Sequence, residues 1–170
     1  MTSAINRESL QVLYDYNVRV TDQLLDTLTQ LTYNEYNEMR SPNYTSIRKL
    51  ATHSFAVERF FLAQCREQPL AAINPATPDE LRAAWQTLNQ AIQDYLDSAS
   101  DDDLTRPRTV TMQGRVFEFP AWQLLTQALV HSTHHRGELA LMLGAIEHPL
   151  PTIDIIVHFF EQTGQEWPWK

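Results

Sequence analysis

This chain of 170 residues holds one cysteine, Cys65, and only four glycines, and its 13 Lys plus Arg are outnumbered by 21 Asp plus Glu. A single thiol rules out an intramolecular disulfide and any zinc site built from several cysteines, and it is compatible with a reducing compartment. So few glycines argue against a turn-rich all-β fold. The net charge of −8 repels a phosphate backbone, which argues against nucleic acid as a partner. No apolar run approaches the ~20 residues that span a bilayer. The first twenty residues carry Asn6, Arg7, Glu8 and Gln11 where a leader segment would be apolar, so a cytoplasmic protein with no membrane partner is expected.

What is present is the composition of a globular protein, 43% hydrophobic and 20% charged. The length suits one domain over residues 1–170, with a core of its own. Leu10, Leu13, Tyr14, Val18, Leu24, Leu25, Leu28 and Leu31 recur at helical intervals and predict a first helix over Ile5–Leu31, with Thr2 or Ser3 as cap. The polar stretch 33–44, with Ser41-Pro42-Asn43, reads as a turn region. A second helix follows from Thr45 or Ser46 to Glu67 and stops before Pro69. Thr77-Pro78-Asp79-Glu80 is a start signal, with a cap, a proline in the first turn and acids on the helix dipole, for a third helix to Ser98. Ser100–Asp103 reads as a solvated connector. Residues 109–119 alternate around Gln113-Gly114 as a small hairpin.

A fourth long helix begins near Pro120 and ends around Gly144–His148, before Pro149 and Pro151. A last helix, Thr152–Gln162, takes Thr152 as its cap and has Asp154 in its first turn. The expectation is an all-α, up-down four-helix bundle with a small β-hairpin before helix four and a short C-terminal helix.

His131 and His135 stand four apart on helix four, so their imidazoles share a face about one turn apart. They interrupt the stripe Leu124, Ala128, His131, His135, Leu139, Met142. On helix two, His53 interrupts the stripe Ser46, Leu50, His53, Val57, Phe60, Gln64. Both stripes predict inward-pointing imidazoles. A lone inward histidine is ordinarily a hydrogen-bonded core residue. Three clustered in an apolar interior need partners for their ring nitrogens, and one divalent ion serves all three while leaving a coordination position open.

The segment His131-Ser-Thr-His-His135-Arg136-Gly137-Glu138-Leu139 is similar to the HxxxHRGQ-type signature of the DinB-like (damage-inducible) proteins, a family that includes thiol-dependent S-transferases. His53 in Leu50-Ala-Thr-His53-Ser-Phe-Ala-Val-Glu58, Tyr16-Asn17, and Pro151-Thr-Ile-Asp154 extend the resemblance over nearly the whole chain. It implies a four-helix bundle with one divalent metal, commonly zinc or nickel, held by His53, His131 and His135. It also implies a low-molecular-weight thiol such as bacillithiol, mycothiol or glutathione as cosubstrate, and a homodimer. The departure is Glu138, where the family commonly has glutamine.

A bound ion of this kind lowers the pKa of a coordinated thiol or water, which suits S-transfer or hydrolysis on a small electrophilic substrate. The alternative is a non-catalytic metal-binding or ligand-binding dimeric bundle. Protease chemistry is disfavoured because Ser132, Thr133 and His134 stand where a metalloprotease helix places its base. Paired Glu-x-x-His motifs for a di-iron site are absent. Cys65 lies twelve residues past His53, roughly 18 Å along a straight helix, too far to act there. Glu138 is a candidate as hydrogen-bond acceptor, fourth ligand or base, against the plainer reading of a solvated or Arg-paired carboxylate. Arg136 reads as an ion-pair partner or a carboxylate-recognising group. Gly137 suggests close approach of a helix or ligand. Tyr14 and Asn17 are candidates for lining the pocket or packing in the core. His134 is read as a packing or pocket-edge residue. His148 and His158 are expected at the surface or in local hydrogen bonds, and Trp167-Pro168-Trp169 as a cover for an apolar surface or a dimer contact.

Overall fold

The computed structural model describes residues 5–40, 42 and 46–169. Among them the chain forms α1 (Arg7–Leu28), α2 (Tyr33–Asn37), α3 (Ile47–Cys65), α4 (Pro78–Ser98), α5 (Asp101–Thr105), β1 (Pro107–Met112), β2 (Arg115–Pro120), α6 (Ala121–Gly144) and α7 (Ile155–Gln162). The long helices α1, α3, α4 and α6 make a four-helix bundle, with the β1–β2 hairpin and α7 as additions, but the simple up-down course expected is corrected, since consecutive α3 and α4 run the same way. Among the described residues, no helix is long and apolar enough to cross a membrane.

Capping decides where the helices begin. Thr2, Ser3, Ser41, Asn43 and Thr45, read above as caps or turn residues, lie outside the described residues. Asn6 caps α1 by accepting the Ser9 N–H at 2.9 Å, and Ser46 caps α3 by accepting the Lys49 N–H at 3.2 Å. Thr77 caps α4 as the sequence predicts, accepting the Glu80 N–H at 3.2 Å.

Two polar segments expected to be irregular are short helices. In α2, Thr32 and Glu35 satisfy each other's backbone N–H groups, and in α5, Ser100 and Asp103 do the same. Each short helix is anchored by one buried apolar residue, Tyr36 or Leu104. The last helix is capped by Asp154 and not Thr152, because the Asp154 carboxylate accepts the Ile156 N–H at 3.2 Å.

The direction of the helices follows from their cross-bundle bonds. Gln11 meets Asp97 and Arg82 meets Asp26, so α1 and α4 are antiparallel. Ser54 meets Ser132 and Cys65 meets Ala121, so α3 and α6 are antiparallel and share the longest interface. Tyr14 bonds the Leu125 carbonyl and Asn17 bonds Arg136, so α1 runs parallel to α6. Glu58 meets Trp85, and α3 and α4 likewise run the same way. The connection 66–77 makes this possible. Its twelve residues reach about 40 Å when extended, more than the roughly 28 Å length of α3. On its way back along α3 its Ala71 carbonyl accepts from Arg59 at 2.7 Å.

The hairpin turns at Gln113 and Gly114, both with positive φ (50° and 74°), the two-residue turn that matches strand twist. Val110 is buried in the core beneath it. Arg108 donates to the Cys65 carbonyl at 2.9 Å and so fastens β1 to the end of α3.

Candidate metal centre

Ser54 and Ser132 are both buried, and their hydroxyls meet at 3.3 Å between α3 and α6. Such small side chains allow the helices a close approach. His53 adjoins Ser54, while His131 and His135 flank Ser132, so that approach draws the three imidazoles together. The His53 ring lies 5.0 Å, centre to centre, from both His131 and His135, and those two rings are 4.3 Å apart. One ring nitrogen from each of the three lies within 4.8 Å of the others.

The histidines are not equivalent. His135 is 3% exposed, whereas His53 and His131 are half-buried. The inward-pointing geometry expected of all three holds for His135, and is corrected to the edge of the core for His53 and His131. The buried face of α3 runs through Leu50, Ala51, Ser54, Phe55, Glu58 and Leu62, rotated by one residue from the His53 stripe. This leaves the imidazoles reachable from solvent on one side.

His135 donates its Nδ1–H to the Glu138 carboxylate at 2.6 Å, and its Nε2 faces the His131 Nε2 at 3.1 Å. The carboxylate thus fixes which His135 nitrogen is bare. Glu138 is a hydrogen-bond acceptor behind the cluster, and the reading of it as a merely solvated or Arg-paired carboxylate gives way. Burial pushes the His131 imidazole down to about 4, with the neighbouring imidazoles adding to the effect and Glu138 opposing it. Burial also lowers His53, reinforced by His135. At neutral pH both rings are uncharged and offer lone pairs.

The donor set is compatible with a divalent ion. Two nitrogens bound to zinc at tetrahedral angles sit about 3.3 Å apart. The observed separation of 3.1 Å needs little adjustment. A second grouping, His134, His135 and Glu138, shares His135. It is a poorer receptor, because Glu138 is engaged by the His135 Nδ1–H and His134 is 67% exposed, with its Nε2 3.6 Å from Glu138.

Other residues singled out from the sequence lie elsewhere. Arg136 follows His135 but points away from it into the bundle, where it donates to Asn17 at 2.7 Å, Thr21 at 3.3 Å and Thr133 at 3.1 Å. Asn17 in turn donates to Glu58 at 2.8 Å, and Trp85 donates to the other Glu58 oxygen at 3.0 Å. This buried network joins α1, α3, α4 and α6. Burial lowers the Arg136 guanidinium from its ordinary value, and the Glu58 carboxylate acts against that shift. Glu58 is a residue the sequence reading missed. Its signal was present, a carboxylate one turn from Ser54 and Leu62 in an apolar stripe.

Gly137 is exposed, and a methyl group added there meets nothing within 4 Å, so close approach does not explain it. Tyr14 packs in the core with its hydroxyl on the Leu125 carbonyl, and Asn17 belongs to the network, so neither lines the three-histidine site. Burial pushes the Cys65 thiol up to about 12, which makes it inert. His158 is buried against Tyr16, His148 faces Glu35 at 3.6 Å, and Trp167 packs on Phe160.

Fold and site together define a four-helix bundle with three imidazoles converging between two antiparallel helices. The sequence matches the DinB superfamily over residues 16–139, and the chain belongs to that superfamily. Its fold is similar to that of a DinB-like protein from Bacillus cereus, with a TM-score of 0.69 and 19% identity over 85% of this chain and 95% of the other. It is also similar to a DinB-like protein from Bacillus subtilis, with a TM-score of 0.63 and 19% identity over 85% and 97% of the two chains. A conserved protein from Enterococcus faecalis aligns with a TM-score of 0.54 and 18% identity over 79% and 96%. No curated protein matches the sequence significantly.

Proposed function

We propose that this chain holds one divalent ion, zinc or nickel, on His53, His131 and His135, and acts as a metal-dependent thiol S-transferase or hydrolase on a small electrophilic substrate. The observation that carries the reading is the convergence of three ring nitrogens, one from each histidine, within 4.8 Å at a solvent-reachable edge of the bundle. When bound, such an ion supplies acidity that brings a thiol or water toward ionisation near neutral pH. Glu138 holds the His135 ring in the orientation that presents Nε2. His134, at the exposed rim, borders the approach. The buried, proton-retaining Cys65 supplies no nucleophile, so the thiol comes from solution as a low-molecular-weight cosubstrate of the bacillithiol, mycothiol or glutathione type.

A cytoplasmic setting, where such thiols are kept reduced, and a homodimeric assembly complete the proposal. The test is thiol consumption by zinc- or nickel-loaded protein with each of those three thiols and the electrophile monobromobimane. Turnover above the spontaneous rate, lost in His53→Ala, is expected. Absence of turnover with every thiol contradicts thiol transfer and favours the non-catalytic metal-binding bundle.

A further inference from the structure

Gln127 lies one helical turn before His131 on α6, and Gln123 one turn further; Phe61 lies about two turns beyond His53 on α3. Because α3 and α6 are antiparallel, both steps lead from the imidazoles toward the same end of the bundle, where the hairpin sits. There Phe61, Met112, Phe119, Gln123, Leu124 and Gln127 line a pocket of about 390 Å³ that is open to solvent on one side. Its near edge, at Gln127, is about 6 Å along the helix from His131.

The lining has a distinct chemistry. Two aromatic rings, a thioether and a leucine form its walls, and none of its six residues is ionisable. A carboxylate or ammonium placed there would lose its hydration without a compensating charge. An apolar body gains by leaving water, and Phe and Met side chains adapt well to aromatic groups. The exposed Gln123 and Gln127 amides offer donors and acceptors to one neutral polar function. The volume falls in the range of small-molecule pockets.

We propose that this pocket is the subsite for the uncharged, apolar body of the electrophile, a group as large as two fused aromatic rings, with its reactive carbon toward the three histidines. The inference deepens the proposed function and rests on it for the reaction, while the pocket itself rests on its own six residues. An ionised thiol is excluded from this subsite and approaches from the His134 side. The β-hairpin, through Met112 and Phe119, acts as a specificity-determining wall.

Two measurements test this. In the metal-free chain, neutral 2-naphthamide is expected to shift the backbone amide resonances of Met112, Phe119, Gln123 and Gln127 and to leave Asn89, on the far side of the bundle, unmoved. In the zinc-loaded chain, 2-naphthohydroxamic acid is expected to bind at least tenfold more tightly than acetohydroxamic acid, by calorimetry. Gln127→Trp, a substitution at an exposed position that fills the pocket, is expected to abolish that preference. Equal affinity for the two hydroxamates, or no naphthamide shifts at the pocket, overturns the subsite. A chain that takes up no zinc overturns the metal reading instead, and naphthamide shifts at the pocket then still support the apolar subsite.

Discussion

At the scale of single residues, Glu138 is the departure from the related signature with the clearest consequence. Its carboxylate accepts the His135 Nδ1–H at 2.6 Å, so it orients the ring and turns Nε2 toward the cluster. Glu138→Ala is expected to weaken zinc binding by about 10–100-fold in a competition titration with a chromophoric chelator, and Glu138→Gln, which keeps a carbonyl acceptor, by less. Equal affinity in wild type and Glu138→Ala would show that the hydrogen bond does not support the site. His53, His131 and His135 could be picked out from spacing and stripe alone, because an imidazole in an apolar line is conspicuous. The position of His53 and His131 at the margin of the core could not, since a stripe fixes a direction on one helix and not where the neighbouring helices lie.

At the scale of elements, α6 shows how a local rule misleads when its packing context is unknown. A glycine in mid-helix suggests that something comes close, yet the space around Gly137 is open. Gly137→Ala therefore removes backbone freedom from the unfolded chain at no steric cost, and is expected to stabilise the protein by up to about 1 kcal/mol in urea unfolding. A destabilised variant would mean that the helix surface is covered there. The short helices α2 and α5 were hidden for a related reason. A single turn has no periodicity to read, and Thr32-to-Glu35 and Ser100-to-Asp103 become recognisable as reciprocal caps once Tyr36 and Leu104 are seen to be buried. The hairpin was legible because Gln113-Gly114 satisfies a backbone requirement that few residue pairs meet.

At the scale of the whole molecule, the four long helices are held by a core and by one buried polar path, Trp85 to Glu58 to Asn17 to Arg136. Glu58 is 1% exposed and is the negative charge that faces the buried Arg136 guanidinium. Glu58→Ala leaves that cation uncompensated and orphans the Asn17 and Trp85 donors, so a loss of about 3–5 kcal/mol in denaturant unfolding is expected. A loss under 1 kcal/mol would show the network to be incidental. The all-α bundle with its additions was legible from periodicity and capping signals. The parallel course of α3 and α4 was not, because it depends on the extended 66–77 segment, whose sequence says that it is irregular but not where it leads. The function proposed for the molecule depends on one ion at the meeting point of α3 and α6. Elemental analysis of the purified, dialysed protein tests it most directly: about one zinc or nickel ion per chain in the wild type, lost in each of His53→Ala, His131→Ala and His135→Ala, is the predicted result, and an ion content unchanged by all three substitutions would contradict it.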